Sequence, residues 1–139
     1  MITKRILIID DEEGYRKVLS NSLADLGYET KAVKNGFEAL EEMNRQRYSI
    51  ILLDVKMPGM DGIELLDQIK GTRLASQIVI ITAYTCADVA EEAVRKGAKK
   101  VIIKPFSIDD IISCLNELCA GSQGLGAQRK HIARGEAPG

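Results

Sequence analysis

The sequence predicts a three-layer α/β domain: a parallel five-stranded sheet wound with helices on both faces. Two observations carry that expectation. Five apolar clusters alternate with stretches of helical period almost without interruption, and three of the clusters are nearly continuous Ile, Leu and Val. Strands that are apolar at every position suit a parallel sheet, where both faces are covered. Four of the five clusters also stop abruptly at an acid, a threonine or a lysine.

The first cluster is RILIID (5–10), and the helix after it has Tyr15, Val18, Leu19, Leu23 and Leu26 on one face. YETKAV (28–33) follows, then a helix with Phe37, Leu40 and Met43 as its inner face. SIILLD (49–54) leads into VKMPGMDG, where Pro58-Gly59 and Asp61-Gly62 predict a tight, rigid turn rather than a helix start. Ile63, Leu66 and Ile69 then serve the third helix. QIVIIT (77–82) precedes a thin helical pattern around Val89, Ala93 and Val94. KVIIK (100–104) precedes a fifth helix bearing Ile108, Ile111, Ile112, Leu115 and Leu118, opened by the capping box Ser107 and Asp110. Glycines 27, 36, 62, 71 and 97 fall after or between elements, and no segment repeats.

Five consecutive βα units imply right-handed crossovers and a doubly wound sheet. The expected architecture is a (βα)5 sandwich of residues 1–120 with the flavodoxin-like strand order 2-1-3-4-5. From Gly121 the chain turns Gly- and Ala-rich without an apolar period, so 121–139 reads as a disordered tail or a linker.

At 139 residues the chain is long enough to bury a core without disulfides. A net charge of −1 argues for neither nucleic acid nor an anionic membrane as partner. No apolar run has the length of a signal sequence or a membrane span. Cys86, Cys114 and Cys119 form no CxxC pair, which favours reduced thiols in a cytoplasmic protein.

The polar strand ends are the functional clue. In a doubly wound sheet the carboxyl ends share one edge, where ligands bind at the topological switch point. That edge would gather Asp10, Asp11, Asp54, Thr82 and Lys104. Two carboxylates about 5 Å apart repel by roughly 3 kcal/mol at an effective dielectric near 20. Three together need a proton or a cation; Lys104 supplies one charge, and a divalent metal would supply the rest. Hard oxygen ligands without His or Cys favour Mg²⁺, or Mn²⁺, over zinc. Glu12 and Glu13 read instead as first-turn residues facing the helix dipole. Asp54, held at a rigid strand end beside a metal, could attack phosphorus and form an aspartyl phosphate. Lys104 and the Thr82 hydroxyl would then stabilise the transferring group.

The motifs IIDDE, LLDVKMPGMDG, ITAY and IIKPF stand in order from residue 8 to residue 106. Together they make the sequence resemble the receiver domain of bacterial two-component response regulators, most of all the stand-alone phosphorelay receivers of the sporulation type. The resemblance covers residues 4 to about 120. It implies that Asp54 accepts a phosphoryl group from a histidine kinase or histidine phosphotransfer protein. It implies Mg²⁺ held by Asp11, Asp54 and the main-chain carbonyl of Lys56, with Asp10 acting through water. Thr82 and Lys104 would sense the phosphate, and the Lys104–Pro105 bond would be cis. One departure stands out: Val101 occupies a position where many receivers carry a Tyr or Phe that reports phosphorylation. A β-branched side chain cannot swing as a ring does, so Val101 reads as strand filling.

Other readings fit less well. A phosphohydrolase of the dehalogenase type would want a DxD motif after strand 1 and a cap domain. A flavodoxin would want a Ser/Thr/Gly phosphate loop and flanking aromatics, whereas acids stand there and aromatics make up 4% of the chain. No P-loop is present. A receiver-like module that binds partners without phosphorylation would not need five intact pocket residues, and His131 lies in the tail. The expected product is a signalling domain rather than an enzyme, one that assists its own phosphorylation and dephosphorylation. With no output module after residue 120, its signal would pass by contact with a downstream protein. Lys56 and Tyr84, each two residues past a pocket residue, would overhang the site and shield the phosphate.

Overall fold

The computed structural model describes residues 4–57, 59–69, 77–83 and 87–120. Expectations placed on Pro58, Gly71, Tyr84, Cys86 and the segment 121–139 with His131 lie outside the described residues, as does the side chain of Cys119. The elements run β1 (Arg5–Ile9), α1 (Glu13–Asp25), β2 (Glu29–Val33), α2 (Gly36–Arg45), β3 (Ile50–Asp54), α3 (Gly62–Ile69), β4 (Gln77–Ala83), α4 (Ala87–Arg95), β5 (Lys100–Lys104) and α5 (Ile108–Ala120). The strands form one sheet in the order β2-β1-β3-β4-β5, and every neighbouring pair is parallel. The predicted fold class and strand order are those of the molecule.

Strand alternation divides the core into two layers. Leu7, Ile9, Ile51, Leu53, Ile78, Ile80 and Val101 join Ala39 and Met43 of α2, Leu65, Leu66 and Ile69 of α3, and Ala90 and Ala93 of α4. Their neighbours Ile6, Ile8, Ile50, Leu52, Val79, Ile81 and Ile102 join Leu19 and Leu23 of α1 and Ile111, Leu115 and Leu118 of α5. Val101 is buried against that first layer, as strand filling. Cys114 is a free, buried thiol in the second, and burial pushes its pKa up to about 12, so it stays protonated and inert.

Local chemistry fixes the helix ends. Gly27 and Gly97, at φ of 100° and 116°, end α1 and α4 in the left-handed region that glycine adopts without steric cost. At both ends the following amide reaches back to a helix carbonyl, Tyr28 N to Leu23 O at 3.1 Å and Ala98 N to Ala93 O at 3.0 Å. The capping box of α5 forms as predicted: Asp110 N donates to Ser107 Oγ at 3.2 Å, and Ser107 N donates to Asp110 Oδ2 at 2.9 Å.

Three helical expectations need correction. Val18 and Leu26 are 55% and 52% exposed and leave the inner face of α1 to Leu19 and Leu23. Phe37 is 61% exposed, because the buried face of α2 is set by Ala39 and Met43. Gly36 and Gly62 open α2 and α3 rather than lying between elements. The turn after β3 is also a helix start, since Asp61 and Glu64 form a reciprocal box with both bonds at 2.9 Å. Among the described residues no helix is long and apolar enough to cross a membrane.

Candidate functional site

The same alternation that builds the core aims three charged side chains together. Asp54 follows Ile50 and Leu52 on the α1/α5 face, Lys104 follows Ile102, and Asp10 follows Ile6 and Ile8. Because β1 and β3 are adjacent and β4 and β5 close the row, the three meet at the carboxyl edge of the sheet. Asp10 is 1% exposed and Asp54 4%.

Each aspartate is oriented by its own backbone. Asp10 Oδ1 accepts the Glu12 amide at 2.9 Å, and Asp54 Oδ1 accepts the Lys56 amide at 3.0 Å. These local turns, in which a carboxylate receives the N–H two residues on, fix both side chains. They leave each Oδ2 facing the pocket. Both Oδ2 atoms meet Lys104 Nζ, that of Asp10 at 3.0 Å and that of Asp54 at 3.2 Å. The contact to Asp10 is an ion pair off the line of a hydrogen bond, so this buried oxygen keeps an unsatisfied lone pair. Arg16 secures the same corner by donating to the Asp10 carbonyl at 2.8 Å.

Glu12 completes the group. Its Oε1 lies 2.8 Å from Lys104 Nζ, and carboxylate oxygens of Asp10, Glu12 and Asp54 all lie within 4.8 Å of one another. Thr82 is fully buried at the end of β4, and its hydroxyl has no hydrogen-bond partner among the described residues. Lys56 and Asp11 are exposed beside the site, and Asp11 is not one of the three clustered carboxylates. The Lys104–Pro105 peptide is cis.

The electrostatics follow from this packing. Burial lifts the Asp54 carboxyl to about 6, helped by the charge of Asp10 and opposed by the Lys56 amide and by Lys104. Burial alone would lower Lys104, but its hydrogen bond to Glu12 and the adjacent Asp10 and Asp54 carboxylates outweigh that, and the net direction is upward. Three carboxylates around one ammonium leave an excess negative charge. With a spare lone pair on Asp10 and oxygen as the only donor type in the cluster, the residues fit a hard divalent cation such as Mg²⁺. The Thr82 hydroxyl, without a partner among the described residues, is a donor available to an acceptor.

The sequence located Asp10, Asp54, Thr82 and Lys104 at this edge and missed two residues. In the sequence Glu12 reads as a helix-dipole residue, and Tyr15 as one of the residues lining a face of the first helix. The Tyr15 ring instead lies over the ammonium, with Lys104 Nζ 4.0 Å from its centroid, and packs against Phe106 at 5.4 Å between centroids. The available signal was spacing: Glu12 stands two residues after Asp10 as Lys56 does after Asp54, and Tyr15 is one helical turn from Glu12.

Known proteins share this arrangement of chain and fold. The family model of the response regulator receiver domain matches residues 6–116. "Sporulation initiation phosphotransferase F" of Bacillus subtilis (strain 168) is 40% identical over 111 residues, covering 80% of this chain and 90% of that protein. The regulatory protein AtoC of Escherichia coli (strain K12) is 38% identical over 107 residues, which cover 77% of this chain but 23% of that protein. Among solved structures, the chemotaxis response regulator CheY4 of Vibrio cholerae superposes with a TM-score of 0.78 at 28% identity, covering 84% of this chain and 99% of its own. NtrX from Brucella abortus gives 0.81 at 31% identity, over 88% of this chain and 28% of its own. The chain thus spans most of two of these proteins and about a quarter of the other two.

Proposed function

The chain belongs to the response regulator receiver family, and from that premise we propose that Asp54 is its phosphoacceptor, with Thr82 and Lys104 stabilising the group transferred. The observation that carries this reading is the pairing of a buried, fixed Asp54 with Lys104 at 3.2 Å, at the sheet edge where the Thr82 hydroxyl has no partner among the described residues. One Asp54 oxygen attacks phosphorus in line as the bond from phosphorus to the donor's imidazole nitrogen breaks; with the ring's other nitrogen protonated, the electron pair of that bond stays on the ring and a neutral imidazole leaves. The Lys56 amide holds the other oxygen. Lys104 and Thr82 then meet charge that moves onto the phosphoryl oxygens.

Receivers bind Mg²⁺ at an acidic pocket, where the ion offsets charge on the transferring group. The ligand set we assign is Asp11, Asp54 and the main-chain carbonyl of Lys56, with Asp10 contributing through water. Asp11 is exposed beside the site and outside the three clustered carboxylates, so its side chain would have to turn to join this set. Adding Mg²⁺ should raise the melting temperature by mass action. Asp11→Ala should reduce that gain more than Asp10→Ala does, and equal binding by Asp11→Ala and wild type would move the site elsewhere.

Receivers signal through protein contacts with kinases or phosphotransferases and with effectors. For this chain the donor is a phosphohistidine of a sensor kinase or phosphotransfer protein, and the output is a conformational change read by a protein target. The decisive test is labelling by a small-molecule phosphodonor with Mg²⁺, read by intact-protein mass. One phosphoryl group should appear and should vanish in Asp54→Ala; labelling that persists there would overturn the assignment.

A further inference from the structure

Lys104 has more partners than phosphoacceptor chemistry requires. Besides Asp10 and Asp54 it is held by Glu12 Oε1 at 2.8 Å and lies beneath the Tyr15 ring at 4.0 Å. Glu12 caps α1 in position only, since its side chain makes no capping bond. Its carboxylate is turned to the lysine instead, although more than half of that side chain is exposed. Tyr15, one turn further along, also packs against Phe106, which follows β5 on the loop into α5. Ion pair and ring together approach the ammonium from the α1 side, opposite in origin to Asp54 on β3.

We propose that Glu12 and Tyr15 form a clasp on Lys104: positioning residues that hold the ammonium toward α1 and thereby set how readily it is handed to a phosphoryl group on Asp54. This rests on the phosphoacceptor reading of Asp54. A lysine shared with Glu12 must give up that pair before it can turn fully to the new anion. The ring stacks on the cation whether or not the hydroxyl is present, so the aromatic face is the working part of Tyr15. Release of the clasp would free Tyr15 and Phe106 together, which ties the charge state of the pocket to the surface formed by α1 and the β5–α5 loop.

Two measurements test the clasp. In the free protein, the Lys104 ε-methylene protons should be shifted upfield by the Tyr15 ring current. The shift should persist in Tyr15→Phe and disappear in Tyr15→Leu; an unchanged Lys104 signal in Tyr15→Leu would overturn the stacking. At saturating Mg²⁺, beryllofluoride as a stand-in for the phosphoryl group should bind Glu12→Gln about threefold more tightly than wild type, in keeping with the modest strength of an exposed ion pair. Saturation with the metal removes the effect of Glu12 on metal affinity from the comparison. Normal uptake by wild type with no gain in Glu12→Gln overturns the gating role alone. Absence of uptake by wild type overturns the phosphoacceptor reading and the gating role together.

Discussion

Burying Asp54 carries an electrostatic cost for the fold. Its carboxyl titrates near 6 in the folded chain, against an ordinary value of 3.8, because burial disfavours the ion. A raised folded pKa means that this group favours the folded state below about pH 4. That contribution is lost as pH rises through 6, and at neutral pH the buried anion opposes folding. Asp54→Asn keeps an oxygen for the Lys56 amide and removes the charge. In metal-free buffer at pH 7 it should therefore stabilise the protein by roughly 1–2 kcal/mol, measured by urea unfolding. The gain should shrink when the comparison is repeated at pH 4. A carbon-13 titration of the Asp54 carboxyl without Mg²⁺ should find its midpoint near 6. The acids themselves were legible in the sequence, because polar residues that end apolar strands share one edge. Which of four consecutive acids besides Asp10 would reach Lys104 was not, since Glu12 is directed by a backbone turn set by the Asp10 side chain.

At the scale of elements, sequence periodicity located all five strands and all five helices but misplaced several helix faces. Hydrophobic identity marked Val18, Leu26 and Phe37 as inward, yet helix rotation is set by what the sheet can accommodate, and those three remain exposed. The outcome bears on partner docking. On α1, Leu19 is fully buried, while Val18 is exposed one turn beyond Tyr15 and the pocket. Val18, Tyr15, Pro105, Phe106 and Ser107 should therefore shift in NMR spectra on adding a kinase's docking domain; shifts confined to α2 and α3 would refute that surface. A second element-level prediction concerns the start of α3, packed against the end of β3. A Cβ on Gly62 would lie 2.4 Å from the Val55 Cα and 2.8 Å from the Asp54 carbonyl oxygen, both backbone atoms that cannot step aside. Gly62→Ala should cost about 1–3 kcal/mol as an overpacked site and slow phosphodonor labelling of Asp54, because relief of the clash must shift the strand end that carries the nucleophile. Spacing in the sequence marked this glycine as a turn residue; only the packing of helix on strand explains why no side chain fits.

Across the whole molecule the two ends of the sheet have opposite chemical characters. The carboxyl edge gathers charges left incompletely satisfied, and the amino edge holds a satisfied network. There Tyr48, just before β3, donates to Glu42 Oε2 at 2.8 Å, and Arg45 donates to the same oxygen at 3.1 Å. The Tyr48 bond, with Arg45 and Gln46 beside it, outweighs burial and holds the Glu42 carboxyl below its usual range. Burial and that same carboxylate push the Tyr48 phenol up to about 12. The linkage signs follow. The Glu42 contribution is present above its ordinary value of 4.5 and fades as the solution is acidified below it. The Tyr48 contribution is whole below pH 10 and fades as pH rises toward 12. Tyr48→Phe removes a hydrogen bond to a charged, buried partner and should destabilise the protein by about 1.5–3 kcal/mol. It should also flatten the loss of stability between pH 10 and pH 12. The network lies at the end of the strands away from Asp54, with the length of β3 between them, so Mg²⁺-dependent labelling of the folded variant should proceed at the wild-type rate. Labelling that slowed in step with stability would show instead that the two ends are coupled through the sheet. Unfolding curves and phosphodonor time courses on one sample, at a temperature where the variant remains folded, separate the two outcomes.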